Sequence, residues 1–329
     1  MECRGLILRD NFEIVCRPFA RFFNLGEALN ITESFNVSSS IVYEKLDGSL
    51  CKVYHTGEQW QVATRGTAYA ESENYTGENF EDMMLRAFGC KTPEEFSNIL
   101  DLQLIPQDWT LVFEYTSPNN RVVTPYSEDK MYLLGIRDNY SGRDLFSTVE
   151  PIYHALKDHL NIALPRTFEF SSPEDMKEFV NSLDGLQEGV VAYDLQNNLR
   201  VKVKADQYVA VHRLRGDSIP TPKRILGLVV TNETEEYLAY FPEERKRFIP
   251  YMESFEKLQS RIQEIHNLAK TIEDQKEFAL FVKNYMFSFI LFQARKNSED
   301  PIHVLNTQDV SRGVKLMDSW MAGMAGVSK

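Results

Sequence analysis

The chain has 329 residues, of which 43% are hydrophobic and 26% are charged, and its net charge at pH 7 is -12. This composition is ordinary for a globular protein and excludes a collagen, a disordered chain and a small disulfide scaffold. The length exceeds that of a usual single domain, so we expect two domains, each with its own core.

Short β-rich runs separated by turn residues fill the first two thirds of the chain. Strands are predicted at 5–8, 40–43, 50–54, 61–64, 110–113, 131–134, 189–193 and 200–204, and helices at roughly 78–89, 93–100, 149–159 and 173–182. This order indicates an α+β domain built on antiparallel sheets with flanking helices.

Two prolines, Pro220 and Pro222, end this pattern, and we place the domain boundary there, between a domain of residues 1–217 and a second of residues 218–329. Beyond it, apolar residues recur every three and four positions, from Phe248 to Leu268 and again from Phe278 to Phe292. A third helix is predicted over 307–321, beginning at a Thr or Asn cap. The second domain is therefore expected to be all-helical, with its aromatic residues in a bundle core rather than on a base-stacking surface.

The acidic excess belongs to the first domain. Residues 220–329 hold 15 basic and 15 acidic residues, which leaves 21 basic and 33 acidic residues before them. An acidic body can still contain a small basic cleft, where binding of nucleic acid would be local and sensitive to salt.

The four cysteines form no C-x-x-C pair and no cluster with histidine, which argues against structural zinc and for free thiols. No apolar run reaches the roughly 18 to 20 residues of a membrane span, and the start lacks a secretory pattern. A cytoplasmic location and no membrane contact are expected.

Four short motifs carry the chemistry. Each occurs often by chance in surface turns or strand edges, but their joint presence in this order is specific. They are Lys45-Leu46-Asp47-Gly48, Phe113-Glu114-Tyr115, Glu188-Gly189-Val190-Val191 and Val201-Lys202-Val203-Lys204.

Lys45 stands at a predicted strand end before an Asp-Gly turn, which suits a nucleophile held rigidly in a cleft. A free lysine has a pKa of about 10.4, so it must lose its proton before it can attack at neutral pH. Lys202 and Lys204 are two apart on one strand and share a face. We expect them to grip a phosphate and to depress the pKa of Lys45.

Glu114 and Glu188 are predicted at strand edges. One carboxylate would accept a hydrogen bond from a ribose hydroxyl, and the other would hold Mg²⁺, which prefers oxygen ligands. Taken singly, each is more often a solvated edge residue.

Together the motifs resemble those of the covalent nucleotidyltransferases, namely DNA ligases, RNA ligases and mRNA capping enzymes. Residues 2–213 further resemble the bacteriophage tRNA-repair RNA ligases, notably in Cys3-Arg4-Gly5, in Pro118-Asn119-Asn120-Arg121 and in Leu133-Leu134-Gly135. This resemblance implies an adenylyltransferase domain in which Lys45 forms a lysyl-AMP with ATP, passes AMP to an RNA 5′-phosphate and allows a 3′-hydroxyl to seal the strand.

The resemblance also implies the roles of further residues. Arg4 and Arg21 would meet the triphosphate, although a lysine is the usual residue at position 21, and Arg65 would contact ribose or the 5′-phosphate. Glu44 would bond the adenine amino group. The ring would lie between Leu134 and Val190, where many relatives have an aromatic residue.

The same resemblance assigns AMP binding to Asp47, Gly48, Glu114, Glu188, Lys202 and Lys204, and metal binding to Glu188. It implies ATP with Mg²⁺, or alternatively Mn²⁺, as cofactors. RNA with 5′-phosphate and 3′-hydroxyl ends, such as a broken tRNA, is the implied partner, and the helical domain is a candidate RNA-specificity module.

Two alternatives stay open. The first is a DNA-nick ligase or a capping-type enzyme, for which a β-barrel is expected after residue 215, where the helical period is found instead. The second is a non-catalytic RNA-binding protein with a ligase-like fold, for which an altered lysine motif is expected.

Overall fold

The computed structural model describes residues 3–74, 77–183, 186–216 and 220–326. The chain divides into two compact units, residues 1–213 and 214–329. The predicted boundary between residues 217 and 218 lies outside the described residues. Within the described ranges, no helix is both long and apolar enough to cross a membrane.

The first unit contains twelve described strands. In chain order they are β1 (Ile7–Leu8), β2 (Ile14–Cys16), β3 (Phe23–Asn24), β4 (Ser40–Lys45), β5 (Ser49–His55), β6 (Trp60–Thr64), β7 (Trp109–Thr116), β8 (Lys130–Asp138), β9 (Ile162–Ala163), β10 (Thr167–Phe168), β11 (Gly189–Asp194) and β12 (Leu199–Lys204).

Two five-stranded sheets dominate this unit, beside the small pair β1–β2. We call the sheet with order β10-β4-β11-β12-β3 the lysine sheet, and the sheet with order β6-β5-β7-β8-β9 the core sheet. Neighbouring strands are antiparallel, as predicted, except that β12 with β3 and β8 with β9 are parallel. β3 and β9 are two-residue edge strands, too short to give a periodic signal in the sequence.

The helices are α1 (Leu29–Thr32), α2 (Phe80–Phe88), α3 (Pro93–Leu102), α4 (Val149–Leu156), α5 (Pro173–Asn181), α6 (Asp206–Arg215), α7 (Pro222–Val230), α8 (Thr234–Tyr240), α9 (Arg245–Ala269), α10 (Gln275–Val282), α11 (Ser288–Asn297), α12 (Pro301–Asn306) and α13 (Val310–Gly326). The α+β class and the helical character of the second unit are thus confirmed.

Helices α2 and α3 cover one face of the core sheet. The Asn79 side chain caps the first turn of α2 and Gly89 ends it in the left-handed conformation. This places the Phe88 ring 4.7 Å from that of Phe96 and 5.1 Å from that of Phe113 on β7. Alternation along β7 puts Glu114, the residue after Phe113, on the opposite face of the core sheet.

In the second unit, the apolar series from 248 to 268 is confirmed as the 25-residue helix α9. The prediction of one helical series over 278–292 is wrong, because a turn at 283–287 divides it into α10 and α11. The third predicted helix begins at Val310, three residues after the predicted start at 307. Asp309 caps its first turn by accepting a hydrogen bond from the Ser311 amide. An aspartate caps as well as a threonine or asparagine does, so local sequence could not decide the start.

Candidate functional site

Lys45, Gly189 and Lys204 lie in one row across three adjacent strands of the lysine sheet. Gly189 is the register partner of Lys45 on β4 and of Lys204 on β12. It has φ +138°, and a Cβ there would lie 2.0 Å from the Val203 carbonyl oxygen. Only glycine fits there, because the backbone of β12 occupies the place that a side chain would take.

Glu188 joins the two amines of this row. Its Oε2 lies 2.7 Å from Lys45 Nζ, its Oε1 lies 2.7 Å from Lys204 Nζ, and the side chain is 4% exposed. The structure therefore brings together residues of three motifs, of which Lys45 and Glu188 are 143 positions apart in the chain.

The expected depression of the Lys45 pKa is wrong for this arrangement. Burial lowers the pKa, but the Glu188, Glu114 and Asp47 carboxylates together raise it above its ordinary value. Lys202 instead has a lowered pKa, because of burial and the nearby charges of Lys204 and Lys45. The Lys45 amine is thus held protonated by its acidic neighbours.

Asp47 is an anchor inside the protein rather than a free ligand. It is 4% exposed. Its Oδ2 accepts from the amides of Val123 and Thr124, both at 2.7 Å, and its Oδ1 accepts from the Tyr208 hydroxyl at 2.6 Å. Its own amide donates to the Tyr126 hydroxyl at 2.9 Å. These bonds fix the turn after Lys45, and a nucleotide contact by Asp47 stays a prediction.

The next residue, Gly48, connects this turn to the core sheet. Its amide donates to Glu114 Oε1 at 3.1 Å, and a Cβ would lie 2.2 Å from the Tyr115 carbonyl oxygen. Burial raises the pKa of Glu114 to about 8, against the lowering effect of Lys45 and with a further rise from Glu188 and Asp47. Glu114 therefore titrates close to neutral pH and can act as donor or acceptor.

Four cations surround a separate cavity of about 470 Å³, which we call the arginine cavity. Arg4, Arg21, Arg65 and Lys202 line it, beside Phe22, Phe23 and Glu27. Burial and the charges of Arg65 and Arg21 lower the pKa of Arg4. Cations held together in this way indicate a site for a multiply charged anion.

Lys52 supports this cavity, and we did not predict it. The side chain is 1% exposed, and its Nζ donates to the carbonyl oxygens of Gly5 and Thr67 at 2.9 and 3.1 Å. These carbonyls stand next to Arg4 and close to Arg65 in the chain, so Lys52 ties both segments to β5. A lysine in the middle of the apolar run 50–54 is the signal that could have revealed it.

The predicted base contacts are only partly assembled. Glu44 is bound by Arg166 through two hydrogen bonds of 2.8 Å. Leu134 is half-buried and has no register partner, because it is the extra residue of a bulge in β8. Its neighbours Leu133 and Gly135 pair with Phe113 and Val112 of β7. Val190 is 0% exposed, and alternation along β11 puts it on the face opposite to Gly189. Its register partner is Glu44, so the two residues share that face, and a base contact by Val190 stays a prediction.

The Glu188 carboxylate can be one ligand of a divalent ion, but the protein side chains alone do not provide a full set of ligands. Among the described residues, no group of three or more His, Cys, Asp or Glu side chains is close enough to hold a metal. Mg²⁺ commonly takes one or two carboxylates and completes its shell with phosphate oxygens and water. Glu188 offers such a carboxylate beside the amines of Lys45 and Lys204.

The comparisons with known proteins point in one direction. A family model described as RNA ligase matches residues 2–208. A protein of Autographa californica nuclear polyhedrosis virus, provisionally named a bifunctional polynucleotide kinase/RNA ligase, is 30% identical over 264 residues, 77% of this chain but only 37% of that protein. The RNA ligase of Rhodothermus phage RM378 is 23% identical over an alignment covering 87% of this chain and 78% of that protein.

Among solved structures, an apo mutant of the RNA ligase from Naegleria gruberi has a TM-score of 0.46 and 15% identity, covering 60% of each chain. This likeness is too distant to assign any residue.

Proposed function

Because the chain belongs to the RNA ligase family, we propose that it is an ATP-dependent RNA ligase in which Lys45 carries AMP as a covalent lysyl-AMP. The observation that supports this most is the row of Lys45, Gly189 and Lys204, with the Glu188 carboxylate 2.7 Å from both amines. A solvated lysine in a surface turn would have neither the carboxylate nor the second amine beside it.

In the first step, Lys45 Nζ attacks the α-phosphorus of ATP and pyrophosphate leaves. The amine is protonated at neutral pH, because its carboxylate neighbours raise its pKa, and it passes a proton to Glu188 Oε2, 2.7 Å away, before it attacks. Asp47 and Gly48 hold the turn that aims the lysine, through bonds to residues of other segments. Lys202 and Lys204 supply positive charge for the α-phosphate, and positioning of this kind accounts for much of phosphoryl-transfer catalysis.

The arginine cavity receives the β- and γ-phosphates and then the departing pyrophosphate. Arg4, Arg21 and Arg65 are the cations there, and Lys202 is shared with the α-phosphate. At the other end of the nucleotide, Leu134 contacts the adenine ring and Glu44 its amino group, for which the Arg166 ion pair has to open. Glu188 would hold Mg²⁺ or Mn²⁺, which neutralises phosphate charge when bound.

AMP then passes to an RNA 5′-phosphate, and a 3′-hydroxyl displaces it to seal the strand. Repair of a broken tRNA is the proposed setting, with the helical unit as the RNA-specificity module. The helices α7 to α13 favour this over the DNA-nick or capping alternatives, which are expected to have a β-barrel there. The non-catalytic alternative is disfavoured because the lysine row is intact.

The test of this function is retention of label from α-labelled ATP with Mg²⁺ on the denatured protein. The unchanged protein should retain label, and Lys45→Ala should retain none, since the other amine beside Glu188, that of Lys204, has the role of a phosphate contact and not of the nucleophile. A 5′-phosphorylated RNA strand with a 3′-hydroxyl should then be joined. Efficient joining of nicked duplex DNA but not of RNA would contradict the proposed substrate.

Lys52 should matter for ATP without touching it. Lys52→Met keeps an apolar stem in the core but releases the carbonyls of Gly5 and Thr67, so Arg4 and Arg65 lose their fixed position. We expect the KM for ATP in lysyl-AMP formation to rise about tenfold with a smaller change in kcat. The exposed Lys91→Met is the matched control. An unchanged KM for ATP in a folded Lys52→Met protein would show that Lys52 does not position Arg4 and Arg65 for ATP binding.

A further inference from the structure

A second basic cavity shares Lys202 with the arginine cavity. It has a volume of about 500 Å³ and lies between β12, α5 and α6. Its charged and polar lining includes Lys177 and Asn181 of α5, Lys202 and Lys204 of β12, and His212 and Arg213 of α6. We call it the α5–α6 cavity. Neither the motifs nor the resemblance assigned a role to its helical walls.

The charge of this cavity is unusual for so acidic a chain. Lys177, Lys202, Lys204 and Arg213 face one lining acid, Asp206. Lys204 is paired with Glu188, whereas Lys177 and Arg213 make no ion pair with another described side chain and are exposed. Two unpaired cations on separate helices, beside a lysine pair, form a local anion site in a protein of charge -12.

Lys202 lines both this cavity and the arginine cavity. The two cavities thus meet at Lys202, and Lys204 of the lysine row lines the α5–α6 cavity. In the proposed function the triphosphate lies in the arginine cavity, which leaves the α5–α6 cavity to a second phosphate-bearing molecule of the same reaction.

We propose that the α5–α6 cavity binds backbone phosphates of the RNA strand whose 5′-phosphate accepts AMP, with Lys177 and Arg213 as phosphate contacts. This inference rests on the proposed ligase function. These contacts recognise phosphate, and contacts to phosphate do not distinguish one base from another. Single-stranded RNA would therefore bind there with little sequence preference and with strong salt dependence.

The test is the double variant Lys177→Ala/Arg213→Ala, compared with the exposed pair Lys91→Ala/Arg143→Ala, which removes the same charge elsewhere in this unit. Binding of a fluorescent, 5′-phosphorylated single-stranded RNA is measured by anisotropy over a range of salt, without ATP. The first variant should bind roughly tenfold more weakly, and its slope of log affinity against log salt should fall by about one to two. The control pair should change the RNA affinity by no more than about twofold and should leave the salt slope unchanged.

Measuring lysyl-AMP formation distinguishes a failure of this inference from a failure of the proposed ligase function. Both variants should load AMP from ATP at the unchanged rate, and only Lys177→Ala/Arg213→Ala should be slow in transferring AMP to RNA. Equal RNA affinity and equal salt slope in the two variants would overturn the inference. Failure of the unchanged protein to load AMP would overturn the proposed function, while the binding comparison would still decide the role of the cavity.

Discussion

Replacing Glu188 with alanine is expected to slow adenylate loading onto Lys45 by at least about a hundredfold at saturating Mg²⁺. The carboxylate is the contact shared by Lys45 and Lys204, and it is the proposed metal ligand. Its loss leaves two neighbouring amines without the group that sets their positions. The rate of label transfer from α-labelled ATP measures the effect, with the exposed Glu58→Ala as control.

The same variant separates two roles of Glu188. The carboxylate raises the Lys45 pKa, so its removal alone would increase the fraction of free amine and speed the reaction at neutral pH. If loading by Glu188→Ala is faster than that of the unchanged protein, Glu188 is only an ion-pair partner, and its assignment to metal and phosphate chemistry is wrong.

Asp47→Ala should destabilise the first unit by about 3 to 5 kcal/mol. It leaves the Val123 and Thr124 amides and the Tyr208 hydroxyl without their acceptor in a site that excludes water. Because the chain has two units, amide hydrogen exchange at Val123 and Thr124 is a better readout than a single melting temperature.

The exposed Asp158→Ala provides the baseline for that experiment and should change stability by less than about 0.5 kcal/mol. Unchanged protection of the two amides in Asp47→Ala would mean that water or another group replaces the carboxylate. Asp47 would then be available to a nucleotide, as the resemblance implied.

Much of the first unit could be predicted because its signals are local. The strands that carry Lys45, Glu114 and Lys204 each have a run of β-branched and aromatic residues, and α2, α3 and α5 begin at capping residues. The grouping of Lys45, Glu188 and Lys204 could also be predicted, but from the sequence motifs and not from hydrophobic periodicity.

The rest depends on contacts that are distant in the sequence. The direction of the Lys45 pKa could not be known before the register placed three carboxylates around it. The anchoring role of Asp47 depends on Tyr208, 161 residues later. The engagement of Glu44 by Arg166 likewise follows from the pairing of β10 with β4, a two-residue contact without a periodic signal.

The most direct test of the account is to locate the adenylate. The protein is incubated with ATP and Mg²⁺, digested at alkaline pH, and its peptides are examined by mass spectrometry. The account predicts one AMP per chain, on the peptide that contains Lys45 and on its Nζ. AMP on Lys202 or Lys204 instead, or an unmodified Lys45 in a protein that still joins RNA, would contradict it.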